Sequence, residues 1–138
     1  MIALRPATHD DIAEVLAFWS AATAEPSSTD DADGIVALLG HAPSALVLAV
    51  DGDTIVGTVI AGFDGWRGTL YRLAVTPDLR RQGIATTLVA EAEGHLRAQG
   101  VRRMHLIVGR AGGSAAEAFW LSARYTPTDQ LRMVKDLG

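Results

Sequence analysis

Leu73-Ala74-Val75-Thr76-Pro77-Asp78-Leu79-Arg80-Arg81-Gln82-Gly83-Ile84-Ala85 runs from the end of an apolar segment, through a turn, into the start of a helix. Pro77 and Asp78 close the strand. Beyond them Ile84, Leu88, Ala92 and Leu96 recur every fourth residue up to Gly100, which predicts a helix over 84–99. The first N–H groups of a helix lack intrahelical acceptors and lie at the positive end of its dipole. Gly83 and Ala85 are small where a ligand would have to approach that backbone, and Arg80 and Arg81 carry charge suited to phosphate. The residues alone admit two readings, a pyrophosphate site at a helix start or an ordinary capped helix. Other phosphate motifs do not compete: the chain has no G-x-x-x-x-G-K-[ST] and no G-x-G-x-x-G.

Upstream of this stretch, Ala45 to Val50 is a compact apolar run, followed by Asp51-Gly52-Asp53 and then Ile55 to Phe63. Asp-Gly between two β-rich segments signals a hairpin. Asp64-Gly65-Trp66-Arg67-Gly68 is a second turn signal, leading into Thr69 to Val75, so three consecutive antiparallel strands are expected. Hairpins ahead of the loop differ from the βαβ start of a dinucleotide-binding unit. Nearer the N-terminus, a short strand around Leu4 precedes a helix that starts at Thr8-His9-Asp10-Asp11 and places Ile12, Val15, Leu16 and Trp19 on one face. Glu25-Pro26-Ser27-Ser28 interrupts the pattern, and a second helix runs through Ile35, Leu38 and Leu39 to Gly40 and Pro43. Downstream come a strand at Met104 to Val108, the glycine-rich Gly109-Arg110-Ala111-Gly112-Gly113, a helix from Ser114 to Ser122 and a last strand at Leu131 to Val134. The predicted order is β-α-α-β-β-β-α-β-α-β, one mixed α/β domain of the α+β kind over residues 1–138.

Composition narrows the chemistry. The 138 residues are 49% hydrophobic and 20% charged, enough apolar material for a core and unlike a disordered chain. A net charge of −4 argues against a nucleic-acid partner. With no cysteine, disulfides, thiolate zinc sites, iron–sulfur clusters and a Cys nucleophile are all excluded. Lys135 is the single lysine, which nearly excludes P-loop or Schiff-base lysine chemistry. His9, His41, His95 and His105 include no H-x-x-x-H pair, so no metal is expected. The N-terminal residues lack a signal-like apolar core, and no stretch approaches the length of a membrane span. A soluble cytoplasmic protein without a membrane partner is the expectation.

With the loop and the element order in place, the chain resembles the GNAT family of N-acetyltransferases. Arg80-Arg81-Gln82-Gly83-Ile84-Ala85 matches that family's R/Q-x-x-G-x-G/A acyl-CoA loop and follows a strand ending Leu73-Ala74-Val75-Thr76-Pro77. Ile55-Val56-Gly57 through Gly68 looks like small bacterial members. The resemblance implies a mixed, mostly antiparallel sheet, splayed between Thr69–Val75 and Met104–Val108, with acetyl-CoA as co-substrate and no metal. It further implies that backbone groups of Leu73, Ala74 and Val75 hold the pantetheine arm. Arg80 and the amides of Arg81, Gln82, Gly83, Ile84, Ala85 and Thr86 would hold the pyrophosphate. The last helix departs from the family pattern. Ala116, Phe119 and Tyr125 keep register, while Gly113 stands for the usual Asn, Trp120 for the usual Tyr and Arg124 for the usual Gly. That Tyr is credited with protonating the departing thiolate. Two functions therefore follow from the resemblance: acetyl transfer to a primary amine in a ternary complex, or non-catalytic acyl-CoA binding and sensing.

A thiol of pKa near 8.5 leaves tolerably as the anion, so a general acid matters less than a base. An alkylamine of pKa near 10 is only about one part in a thousand neutral at pH 7, equivalent to roughly 4 kcal/mol. Asp64, ending a strand near the expected acceptor entry, is a candidate base or simply a turn residue. Tyr71, two residues before Leu73, shares a face with Leu73 and Val75 by strand periodicity, and lines the cleft or is an ordinary strand aromatic. Glu25 attracts a cationic amine or is a solvated loop carboxylate. Trp66 serves an acceptor pocket or a homodimer contact, and Trp120 lines the pantetheine channel or packs in the core. The acceptor is a small amine or a peptide amino group.

Overall fold

Asp51-Gly52-Asp53 turns the chain between β2 (Leu46–Asp51) and β3 (Thr54–Phe63), and Asp64 to Arg67 turn it again into β4 (Gly68–Val75). The structure, a computed structural model, describes residues 1–22, 27–109 and 113–138. They form two compact units, Met1–Leu106 and Ile107–Gly138.

In the first unit, β1 (Ile2–Pro6) pairs antiparallel with β2, β2 with β3 and β3 with β4, and β5 (Met104–His105) lies parallel to β4. The result is a mixed, mostly antiparallel five-stranded sheet in sequential order. Before α1 (Ile12–Ala22) the chain makes a 3-10 turn at His9–Asp11. There Thr8 N–H donates to the Asp11 carboxylate at 2.8 Å, and Arg5 donates to both of its oxygens at 2.8 and 2.9 Å. Helix α2 (Ala32–His41) starts at Asp31, whose carboxylate accepts from Gly34 N–H at 2.7 Å.

The central strands β2 and β3 are buried on both faces, which explains why the run at 45–50 is apolar without alternation. Leu46, Leu48 and Val50 cluster with Val15 and Trp19 of α1 and with Ile35 and Leu39 of α2. The intervening Ala49 points the other way, toward α3 (Ile84–Ala98): a Cβ on Gly57 would lie 2.9 Å from Leu88 Cδ1 and 3.4 Å from Ala49 Cβ. Leu46, Leu48, Leu88 and Leu96 are fully enclosed, each contributing roughly 1.5–3 kcal/mol through burial.

In the second unit, α4 (Gly113–Ser122) closes with Arg124 N–H donating to Leu121 C=O and Tyr125 N–H donating to Trp120 C=O, both at 3.0 Å. This is a Schellman closure, and Arg124 holds the left-handed conformation (φ 70°) that glycine usually takes. The element order thus agrees with expectation from β1 to α4. The predicted strand at Leu131–Val134 does not form. Leu131, Met133 and Val134 are 88%, 87% and 69% exposed, so their apolar surface meets no covering face and their backbone joins no ladder. The strand predicted at Met104–Val108 shortens to Met104–His105, because only Gly68 and Thr69 of β4 pair with it.

Candidate functional site

Between β4 and α3 the chain makes a 3-10 turn at Pro77–Leu79 and then an exposed stretch, Arg80 to Gly83. Arg81 (φ 67°) and Gly83 (φ 84°) are both left-handed. A side chain on Gly83 would meet open space, so glycine serves the backbone angle there and leaves the approach to the helix start clear. No side chain caps α3. Thr87 is the residue whose N–H returns to Gly83 C=O, at 3.0 Å, with its hydroxyl adding a bond at 2.9 Å. The amides of Ile84, Ala85 and Thr86 therefore precede the first turn of intrahelical bonding. Successive amides in left-handed and turn conformations form a concave donor set for anion oxygens. Arg80 folds back, its Nε donating to Val75 C=O at 3.3 Å, and so ties the loop to the end of β4.

The other feature lies within β4. Pairing with β3 runs from Phe63↔Gly68 to Ile60↔Tyr71, then resumes at Thr58↔Ala74, so Arg72 and Leu73 together stand opposite Val59. Arg72 is left-handed (φ 53°), a conformation costing a non-glycine residue roughly 1–2 kcal/mol. The surroundings hold it there. The buried Thr58 hydroxyl donates to Arg72 C=O at 2.7 Å and accepts from Trp19 Nε1–H at 3.0 Å. The Arg72 guanidinium donates to both oxygens of Asp30, Nε at 3.0 Å and Nη2 at 2.5 Å, and lies 5.9 Å from the Trp19 ring centroid. Leu16, Trp19, Ser20, Ser27, Asp30 and Asp31 line a recess of about 470 Å³ beside this network.

The predicted acceptor-side residues have varied surroundings. Asp64 Oδ1 accepts from Arg67 N–H at 2.7 Å and Trp66 N–H at 2.8 Å, making the turn. These two N–H groups, Arg67's above all, hold its carboxyl below the usual carboxylate range, the wrong direction for a base. Tyr71 is 54% exposed, its ring against Gly62. The bulge separates Tyr71 from Leu73, and the alternation of burial that holds from Gly68 to Tyr71 is lost beyond it. The shared face expected from strand periodicity is therefore interrupted. Trp66 is exposed beneath the Arg67 guanidinium, 4.0 Å from the ring centroid. Trp120 meets Phe119 and Tyr125 edge to face, with centroids 5.1 and 5.2 Å apart. Glu25 lies outside the described residues. Sequence reasoning missed Asp30, Thr58 and Arg72. A long cation in the middle of a mostly apolar strand was the signal that called for a partner.

Among the described residues no cluster of His, Asp or Glu could hold a metal, and no helix is long and apolar enough to cross a membrane. The model of the acetyltransferase (GNAT) family matches residues 10–123. The chain is 33% identical over 129 residues to an acetyltransferase of Pectobacterium atrosepticum, covering 94% of this chain and 91% of that protein. It is 30% identical over 131 residues to one of Sodalis glossinidius, covering 95% and 92%. Among solved structures, Ard1 from Thermoplasma volcanium superposes with a TM-score of 0.80 at 18% identity, covering 92% of this chain and 84% of that one, a likeness of fold.

Proposed function

The chain belongs to the acetyltransferase (GNAT) family, and from that premise we propose that it moves an acetyl group from acetyl-CoA to a primary amine by direct attack in a ternary complex. The observation that carries this reading is the uncapped start of α3 behind left-handed Gly83, set directly after the bulged end of β4. Those residues suit a polyanionic, arm-bearing cofactor. The amides from Arg81 to Thr86, with Arg80 and Arg81, would hold the pyrophosphate, and the backbone of Leu73, Ala74 and Val75 the arm. Acetyl-CoA supplies the activated acyl group. Backbone N–H groups near Leu73 would face the oxygen on which negative charge develops. A chain without cysteine has no thiol for a covalent acyl route. Of the two proton-handling candidates, Tyr71 keeps an exposed side chain, whereas the Asp64 carboxylate is engaged in its turn. Glu25 and Trp66 are proposed on the acceptor side, with a small amine or peptide amino group as acceptor.

One observation favours a second reading, an acyl-CoA-binding or sensing domain. Trp120 has no acidic proton to return to a thiolate, and Gly113 has no side chain to position one. Calorimetric titration with acetyl-CoA, followed by a CoA-release assay over a panel of alkylamines and peptide N-termini, separates the two. The absence of cysteine makes a thiol reagent report on CoA alone. Binding with turnover supports the enzyme, and binding without turnover on any amine favours the sensor. A protein that stays folded and does not bind acetyl-CoA overturns both.

A further inference from the structure

The Asp30 carboxylate joins two parts of the first unit that are remote in sequence. Within its own loop it accepts from Ser27 N–H at 3.0 Å, while its own N–H donates to Ser27 C=O at 3.0 Å, so the segment ahead of α2 is closed on itself. Across the fold the same carboxylate takes both bonds from Arg72, and both side chains are largely buried, 17% and 20% exposed. A planar guanidinium held at two points has little rotational freedom. Arg72 is the residue that the β4 bulge requires in the left-handed conformation, and Leu73 follows it directly.

We propose that Asp30 is a positioning residue of the donor site: through its paired bonds it keeps Arg72 left-handed and so sets the β4 backbone at Leu73 from the segment 27–31 ahead of α2. The inference rests on the reading of Leu73 and its neighbours as the backbone that receives the cofactor arm. It gives Asp30 two places, since it also lines the recess beside Trp19.

The test compares the full chain with Asp30→Ala, Arg72→Gly and the double variant. Glycine adopts the left-handed conformation without a tether, and the Thr58 hydroxyl still reaches the carbonyl at position 72. Asp30→Ala alone is expected to weaken acetyl-CoA binding about tenfold, whereas beside Arg72→Gly it adds no further weakening, so that Arg72→Gly and the double variant bind alike. Equal weakening by Asp30→Ala with and without Arg72→Gly would overturn the proposal, because Asp30 would then act by another route. No weakening in Asp30→Ala would overturn it as well. Hydrogen exchange of peptides spanning 70–76 needs no ligand. Asp30→Ala should speed it in the parent and have no further effect beside Arg72→Gly. If the parent itself fails to bind acetyl-CoA, the functional reading falls, and exchange alone decides the role of Asp30. A purely structural part for Asp30 would lower the unfolding midpoint in both backgrounds and leave this epistasis absent.

Discussion

The hydroxyl of Thr58 donates to the backbone carbonyl of Arg72 at 2.7 Å, from a side chain wholly shielded from solvent. The same oxygen accepts the Trp19 indole N–H at 3.0 Å, so one hydroxyl joins α1, β3 and the bulge in β4. Thr58→Val keeps the shape and removes both bonds. Each hydrogen bond contributes about 0.5–1.5 kcal/mol net, so we expect roughly 1–3 kcal/mol lost in urea unfolding. Thr58→Ser, which keeps the hydroxyl, should lose about 1 kcal/mol for the missing methyl. A smaller loss in Thr58→Val than in Thr58→Ser would show that packing, not the hydrogen bonds, holds the bulge.

Gly83 tests the helix start. Its left-handed φ of 84° strains any other residue, by roughly 1–2 kcal/mol. Gly83→Gln therefore carries the strain without charge, and Gly83→Glu carries both. In calorimetry, Gly83→Glu should bind acetyl-CoA at least about tenfold more weakly than Gly83→Gln. Matching affinities in two folded variants would remove the pyrophosphate from this loop.

Asp11 sets a dependence on acid. Hydrogen bonds from Arg5 hold its carboxyl well below the usual carboxylate range, assisted by the Thr8 N–H and opposed by burial. The folded-state value is depressed, so its contribution is present above the unfolded value of about 4 and is lost as pH falls through the folded-state range. Arg5 is 44% exposed, and solvent screening keeps the pair near about 1 kcal/mol at neutral pH. Stability measured at about pH 6 and about pH 3 should fall more steeply in the parent than in Asp11→Asn. Parallel falls would assign the acid sensitivity elsewhere.

Local signals carried most of this architecture. Asp51-Gly52 and Asp64-Gly65 announced their hairpins, and the four-residue spacing from Ile84 to Leu96 announced α3, because turn chemistry and helical period are written in neighbouring residues. Leu131 to Val134 misled because a mostly apolar segment states only a preference, while a strand exists through its ladder. The glycine at the start of α3 was legible for the same local reason. Asp30 and Arg72 were not, since forty-two positions separate them and nothing in either neighbourhood names the other. Tyr71 shows the cost of that blindness. A two-residue period places it beside Leu73 until the β4 bulge intervenes.

Asp64 provides the last test, because its turn and its candidate chemistry make opposite demands on one side chain. The turn needs an oxygen that accepts two N–H groups, at 2.7 and 2.8 Å, and the amide of Asn supplies one as well as a carboxylate does. A base needs a group that takes up a proton, which Asn cannot do, and donation from Arg67 and Trp66 already lowers the affinity of Asp64 for protons. Asp64→Asn is therefore expected to keep both the unfolding midpoint and the rate of CoA release. Asp64→Ala, which loses the two bonds, should lower the unfolding midpoint. Should Asp64→Asn instead lower CoA release by about a hundredfold or more while staying folded, the carboxylate would be the proton acceptor. The turn would then be what aims it.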